Sequence, residues 1–206
     1  MDHKSGLASM KFVPIAVSLA GLAILIGGWV VGMGFLRSPH PSMTPTLPMT
    51  AVGFVLSGIV VYVAAGDGLG EWSEFVGAAA SFGLIGLVID SFQPGGGGLV
   101  RLVTHADFQD LPYVVRGQPS PLTGFGFLCV GASGICWMFR KPWRWIVTIA
   151  CGVGVVALCG IIAGLPILSG YVEGLATGMA LYTAVLFILL GVSVASVGSG
   201  HGDRVD

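Results

Sequence analysis

Long apolar segments alternate with short polar ones along the chain, and each apolar segment lacks Asp, Glu, Lys and Arg over most of its length. A helix that crosses the hydrocarbon core of a bilayer needs about 20 predominantly apolar residues. The pattern therefore predicts an all-α membrane protein in which residues 1–206 form a single integral membrane domain. Its six predicted transmembrane helices cover about 12–36, 48–66, 74–92, 121–139, 144–165 and 177–197.

The third apolar segment is the shortest, because only residues 75–89 separate Glu74 from Asp90. Three alanines and a serine at 78–81 lower its hydropathy further. A buried or re-entrant helix that does not cross the bilayer is the alternative. We predict that the segment crosses, since an odd number of crossings would disrupt the distribution of basic residues between the two sides.

Six crossings place both termini on the same side of the membrane, and the basic residues indicate which side that is. Lys and Arg concentrate in short cytoplasmic loops, and Trp is enriched at the membrane interface. The short turn 140–144 holds three basic residues and is flanked by Trp137 and Trp145, so both termini are predicted to be cytoplasmic. The terminal side then holds Lys4, Lys11, Arg140, Lys141, Arg144 and Arg204, and the other side holds Arg37, Arg101 and Arg116.

Composition excludes several classes of protein. The chain is 54% hydrophobic and 9% charged, whereas an ordinary soluble domain is roughly 25% charged. Nine Lys and Arg residues cannot build the basic face that a nucleic-acid binder needs. The 34 glycines suit close helix–helix contacts in a membrane bundle.

Residues that support catalysis or metal binding are rare inside the predicted spans. The histidines lie outside them, which argues against a haem with two His ligands and against a proton relay. The cysteines lie inside them, where small buried thiols are the expected role. We therefore predict no enzyme activity, no metal site and no cofactor, with room for a bound lipid or apolar ligand. These residues are His3, His40, His105 and His201, and Cys129, Cys136, Cys151 and Cys159.

The pattern Thr-x-x-x-Phe-x-x-x-Gly recurs near the start of the second, fourth and sixth spans, in copies that begin 73 and then 60 residues apart. This spacing places the three residues on one stripe of a helix, where the glycine lets another backbone approach. A chance pattern in a glycine-rich bundle is the alternative. We predict three parallel helical hairpins related by rotation about the membrane normal. The repeated residues are Thr50, Phe54 and Gly58, then Thr123, Phe127 and Gly131, then Thr183, Phe187 and Gly191.

The repeated segments resemble the multi-helix membrane input modules that precede histidine kinase, PAS or diguanylate cyclase domains in bacterial signalling proteins. In those modules an inner helix often begins Met-x-Pro-x-Thr-Ala, and residues 179–184 read Met-Ala-Leu-Tyr-Thr-Ala, with Leu-Leu-Gly at 189–191. Over about 12–197, the resemblance implies a sensory module in a bacterial inner membrane. It departs at Thr46 and Pro119, where Met is expected, and at Gly124, where Ala is expected.

Residues 198–206 follow the last predicted span, so the sequence predicts a module without its own effector segment. The resemblance therefore implies that a signal passes to a separate protein partner, in the membrane or in the cytoplasm. It implies no particular ligand-binding residues.

The long segment 93–120 is a candidate ligand-facing cap outside the cytoplasm. A solvated loop with local salt bridges is the alternative. Asp90, at the outer end of the third span, lies either at membrane depth, where a charge is costly and functional, or at the interface. Arg37 and Arg101 share its side of the membrane. The candidate ligand-facing residues are Asp90, Arg101, His105, Asp107 and Arg116.

Three functions remain open for a non-catalytic membrane protein of this kind. A sensory input module is favoured by the repeat and by the resemblance. A structural or accessory subunit of a respiratory or photosynthetic complex is the first alternative. A passive transporter of a small neutral solute is the second, since the near absence of charge inside the spans argues against ion coupling. The expected partners are membrane lipids and a protein, not nucleic acid.

Overall fold

The computed structural model of the protein describes residues 3–65, 71–93, 118–173 and 176–198. Within these ranges the fold is all-helical, with one isolated antiparallel bridge between Val172 and Ala176 and no strand. The all-α class predicted from the sequence is confirmed. The α-helices are α1 (His3–Ala23), α2 (Gly34–Arg37), α3 (Pro48–Ala65), α4 (Glu71–Phe92), α5 (Pro121–Met138), α6 (Arg144–Ile162) and α7 (Leu181–Gly198).

Five helical segments are long and apolar enough to cross a membrane, which makes the chain a multi-pass membrane protein. The described apolar part of α7, Leu181–Ala195, is shorter than these five. The structure thus supports five spans by length and composition, where the sequence predicts six. The five spans are Phe12–Val30, Pro48–Ala65, Trp72–Phe92, Pro121–Met138 and Arg144–Ile162.

The first span differs most from its prediction of one helix over 12–36. The α-helix continues as a π-helix over Ile24–Val30, and the short helix α2 then folds back beside it. Gly27 and Gly28 permit this return, since a Cβ on Gly28 would lie 3.0 Å from Cγ of Arg37. Gly32 reverses the chain with a φ of +88°, a conformation that side chains disfavour. The apolar pattern does not predict this reversal, because the segments before and after it are both apolar.

The helices separate into an inner and an outer set. In the spanning windows, 61% of the α3 residues and 50% of the α5 residues are buried, against 28% for α1, 39% for α4 and 28% for α6. Helix α7 belongs with the inner set, since Ala184, Phe187 and Leu190 are fully buried. The outer helices expose large apolar side chains of the kind that face lipid, among them Leu19, Phe82, Ile149 and Val156.

Candidate functional site

Three phenylalanines meet where the inner helices α3, α5 and α7 converge. The ring centroids of Phe54, Phe127 and Phe187 lie 5.0–5.1 Å apart in all three pairs. The rings of each pair are inclined by 54–69°, close to the edge-to-face arrangement that aromatic pairs prefer. All three side chains are at most 3% exposed. This Phe cluster is formed by the three phenylalanines of the repeated pattern.

Glycines beside these phenylalanines make room for the rings. A Cβ on Gly53 would lie 2.5 Å from the Phe127 ring, and a Cβ on Gly126 would lie 2.6 Å from the Phe187 ring. Leu186 occupies the corresponding position in α7 and is itself buried. Gly53 and Gly126 are not part of the repeated pattern, although both directly precede a repeated phenylalanine.

The repeated glycines face the outer helices rather than the Phe cluster. A Cβ on Gly58 would meet the backbone and side chain of Ser18 in α1. A Cβ on Gly131 would lie 2.9 Å from Ile85 in α4, and one on Gly191 would meet Cys151 in α6. Each repeated glycine therefore contacts the outer helix that directly precedes it in the chain.

Two of these outer helices share a second contact with their inner neighbours. The Ser18 hydroxyl donates to the Val55 carbonyl at 3.0 Å, and the Cys151 thiol lies 3.8 Å from the Ile188 carbonyl. Val55 and Ile188 each directly follow a repeated phenylalanine. In both pairs, the outer residue that faces the repeated glycine thus also contacts the carbonyl of the residue that follows the repeated phenylalanine. In α4 the corresponding residue is Ile85, which has no donor group.

The repeated threonines lie in the first turns of the inner helices and are at most 4% exposed. In the described part of the chain, Oγ of Ser57 and Oγ1 of Thr46 are buried without a hydrogen-bond partner. An unpartnered buried hydroxyl is costly, and these two flank Phe54 along the chain, one just before α3 and one within it. The threonines are Thr50, Thr123 and Thr183.

A cavity of about 390 Å³ opens in the segment that joins the π-helix to α3. Its lining is largely apolar, with Phe35, Met43 and three prolines, and Arg37 contributes the charge. An apolar lining with few polar groups is typical of small-molecule sites. We call this feature the loop cavity; it is lined by residues 34, 35, 37–39, 41, 43 and 45.

Side-chain contacts fix the wall of the loop cavity to the bundle. The indole N–H of Trp29 donates to the Thr46 carbonyl at 2.9 Å, and the Arg37 guanidinium lies 5.0 Å above the indole ring. The backbone N–H of Thr46 donates to the Arg37 carbonyl at 2.8 Å. Tyr182, at the start of α7, donates its hydroxyl to the Phe35 carbonyl at 2.8 Å. The wall therefore contacts both the first span and the last helix.

Asp90 is half-buried in the last turn of α4, and its Oδ2 atom is buried without a hydrogen-bond partner in the described part of the chain. Arg37, one expected neighbour, lies over Trp29 and donates to the Gly32 carbonyl instead. The other candidate ligand-facing residues lie outside the described residues, so their role as a cap stays a prediction. They are Arg101, His105, Asp107 and Arg116.

The four cysteines are free thiols, from buried Cys129 to exposed Cys159. The described residues contain no group of three His, Cys, Asp or Glu side chains placed to hold a metal ion. Comparisons with protein-family models, with curated proteins and with solved structures find no match to this chain. The function of this multi-pass helical membrane protein must therefore be inferred from the geometry of its side chains and cavities.

Proposed function

We propose that this protein is a non-catalytic, six-helix sensory input module of a bacterial inner membrane that signals through a separate protein partner. Both termini are cytoplasmic, and α7 makes the sixth crossing. A ligand that enters the loop cavity from outside the cytoplasm shifts the inner helices. The observation that carries the proposal is the hydrogen bond between Tyr182 and the Phe35 carbonyl, 2.8 Å long.

The architecture is three parallel hairpins, α1 with α3, α4 with α5, and α6 with α7. Two contacts support it. Each repeated glycine meets the outer helix of its own hairpin. A Cβ on Gly21 would lie 2.7 Å from the Ala51 carbonyl oxygen, and a Cβ on Gly154 would lie 2.7 Å from the Ala184 carbonyl oxygen. The register is thus the same in the first and third hairpins.

In the middle hairpin the corresponding positions also face each other. The larger residue of the pair is here on the outer helix and the smaller one on the inner helix. Gly124 stands where the other inner helices have Ala, and a Cβ there would lie 2.6 Å from the Phe92 ring and 3.6 Å from Cγ1 of Val88, both in α4. A larger outer residue is matched by a smaller inner one. This complementarity favours a common hairpin plan over a chance pattern, because the close approach persists while the residues that make it differ.

A path for the signal runs from the loop cavity to the Phe cluster. Phe35 lines the cavity and accepts the hydrogen bond of Tyr182. Tyr182 directly precedes the repeated Thr183, and Phe187 follows five residues after Tyr182, in the next turn of α7. Displacement of residue 35 by a ligand therefore pulls on the helix that supplies one ring of the Phe cluster. Packed aromatic rings change position together, since a close-packed interior transmits strain.

The π-helix provides the movable element. π-helical segments are rare and are found frequently at functional sites. Here the π segment Ile24–Val30 carries Trp29, which donates to the carbonyl of Thr46, the residue after Pro45 of the cavity lining. A shift of this segment moves the indole and the wall together.

The Phe cluster opposes the transporter alternative. Three buried rings in mutual contact fill the centre of the inner helices, where a path for solute would run. The accessory-subunit alternative keeps one supporting observation: the outer helices expose broad apolar faces, including Phe75, Phe82 and Ile89 of α4. Such faces fit a neighbouring subunit as well as lipid.

The test is recovery of the tagged protein from its native membranes in a mild detergent, followed by mass spectrometry of what accompanies it. A kinase, cyclase or response regulator in stoichiometric amount is expected. The Tyr182→Phe variant should change the amount of this partner that is recovered. Tyr62→Phe in α3 is the matched control and should leave that amount unchanged. Stoichiometric subunits of one respiratory or photosynthetic complex would instead establish an accessory subunit and overturn the sensory proposal.

A further inference from the structure

The turn between α5 and α6 forms a basic and aromatic pocket at the end of the bundle opposite the loop cavity. Two cavities of about 330 and 450 Å³ share Arg140, Lys141 and Trp143 as lining residues. The first cavity is completed by Glu74, Trp137 and Met138, and the second by Pro142, Arg144 and Trp145. We call the two together the turn pocket.

Backbone hydrogen bonds fix the main chain at Arg140 and Lys141, the first two basic residues of this pocket. The N–H of Arg140 donates to the Trp137 carbonyl at 2.9 Å, and the N–H of Lys141 donates to the Cys136 carbonyl at 2.8 Å. These bonds close the C-terminus of α5. Arg140 adopts a φ of +54°, a conformation in which glycine is usual at the end of a helix. An arginine at this position keeps a strained backbone but supplies a side chain that glycine lacks.

The remaining side chains suit a position at the membrane interface. Trp143 is buried, and the Arg144 guanidinium lies 5.9 Å from its ring centroid. Trp145 is 76% exposed, as expected for an indole that reaches the lipid headgroup region. Glu74 is the one acidic residue among the described residues that line the turn pocket, against three cations.

An apolar strip leads from the turn pocket along the outer face of α6. Trp145, Ile149 and Val156 are exposed on one side of the helix, spaced by four and seven residues. Gly152 lies between them with open space where a side chain would be. The strip therefore has a shallow groove in its middle, bounded by large apolar side chains, and runs away from the cations.

We propose that the turn pocket binds the headgroup of an anionic phospholipid. Arg140, Lys141 and Arg144 bind the phosphate, because guanidinium and ammonium groups form charge-assisted hydrogen bonds with phosphate oxygens. An acyl chain lies along the α6 strip over Gly152. Basic pockets beside transmembrane helices are a recurring way to recognise anionic headgroups. The site is separate from the proposed ligand cavity.

The experiment measures retained phosphatidylglycerol by native mass spectrometry of the full-length protein, with phosphatidylcholine as the neutral comparison. In the triple variant Arg140→Gln, Lys141→Gln, Arg144→Gln, retention of phosphatidylglycerol should fall by about fivefold for each cation removed. Retention of phosphatidylcholine should not change. The matched control is Arg37→Gln, which removes an arginine from above another indole, Trp29, at the other end of the bundle.

A charge-preserving variant, Arg140→Lys with Arg144→Lys, keeps the test decisive if the triple variant does not fold, and should retain phosphatidylglycerol. Equal loss of phosphatidylglycerol in the triple variant and in Arg37→Gln would overturn the proposal, as would no loss in either. Inorganic phosphate serves as a further probe. If it raises the melting temperature of the wild type as much as phosphatidylglycerol does, the pocket recognises a free anion and not a lipid.

Discussion

The hydroxyl of Tyr182 donates a hydrogen bond to the backbone carbonyl of Phe35 across a separation of 147 residues, at 2.8 Å. This bond joins the wall of the loop cavity to the first turn of α7. The start of α7 is thereby tied to the segment that joins the π-helix to α3. Under the proposed function, a change in the loop cavity reaches the Phe cluster through α7, which carries both Tyr182 and Phe187.

Removal of this bond should loosen the loop without unfolding the protein. Tyr182→Phe is expected to cost about 0.5–1.5 kcal/mol of stability, the usual net value of one hydrogen bond. Amide hydrogen exchange over residues 34–46 should become faster, because the Phe35 carbonyl is released. The same substitution at Tyr62 in α3 should leave exchange in this loop unchanged. Equal exchange in both variants would show that the bond does not hold the loop.

The Phe cluster should behave as a single energetic unit. Alanine at any one of Phe54, Phe127 or Phe187 removes a buried ring and is expected to lower the free energy of unfolding by about 3–5 kcal/mol. The effects of two such substitutions should not add, because the rings contact one another. Phe82→Ala removes a ring that is 60% exposed and should cost far less. Thermal unfolding in detergent measures these differences.

The glycines beside the rings should be intolerant of alanine. At Gly53 and Gly126 a Cβ would lie 2.5–2.6 Å from a phenyl ring, so overpacking is expected to cost about 1–3 kcal/mol. Gly86 and Gly152 have open space at this position. Alanine there should be neutral or stabilising by up to about 1 kcal/mol, since alanine is the better helix former. A loss of melting temperature at all four sites would contradict the packing described here.

The repeated stripe should matter more than similar residues outside it. Thr183→Val and Gly191→Leu are expected to weaken packing, because Thr183 is buried and a side chain on Gly191 would collide with Cys151. Thr148→Val and Gly152→Leu are the matched changes on the exposed face of α6. Equal losses of thermal stability in detergent for both pairs would remove the special role of the stripe.

Some boundaries follow directly from the sequence. Helices α3 and α5 begin at Pro48 and Pro121, because proline suits the first turn of a helix, where its missing N–H is not needed. Ser120 caps α5 by accepting a hydrogen bond from the Leu122 N–H at 3.2 Å. Where a helix begins depends on the residues at that point of the chain, so the local sequence predicts it.

Other features depend on distant partners and have no local signal. The π-helix depends on the space that Gly27 and Gly28 leave for the returning chain to pack against them. The fit of Gly53 under the Phe127 ring joins residues 74 positions apart in the sequence. The repeated pattern includes the three phenylalanines whose rings meet in the structure. It did not identify the outer residues Ser18 and Cys151, which differ in type although their contacts are alike.

The central claim is that three hairpins cross the membrane six times, with the loop cavity on the side opposite both termini. Its most direct test uses a variant with all four cysteines replaced by alanine, into which single cysteines are introduced as Ser5→Cys, Ser42→Cys or Ser199→Cys. A membrane-impermeant maleimide should label positions 5 and 199 from the cytoplasmic side and position 42 from the other side. Labelling of positions 5 and 199 from opposite sides would mean an odd number of crossings and would contradict the three-hairpin account.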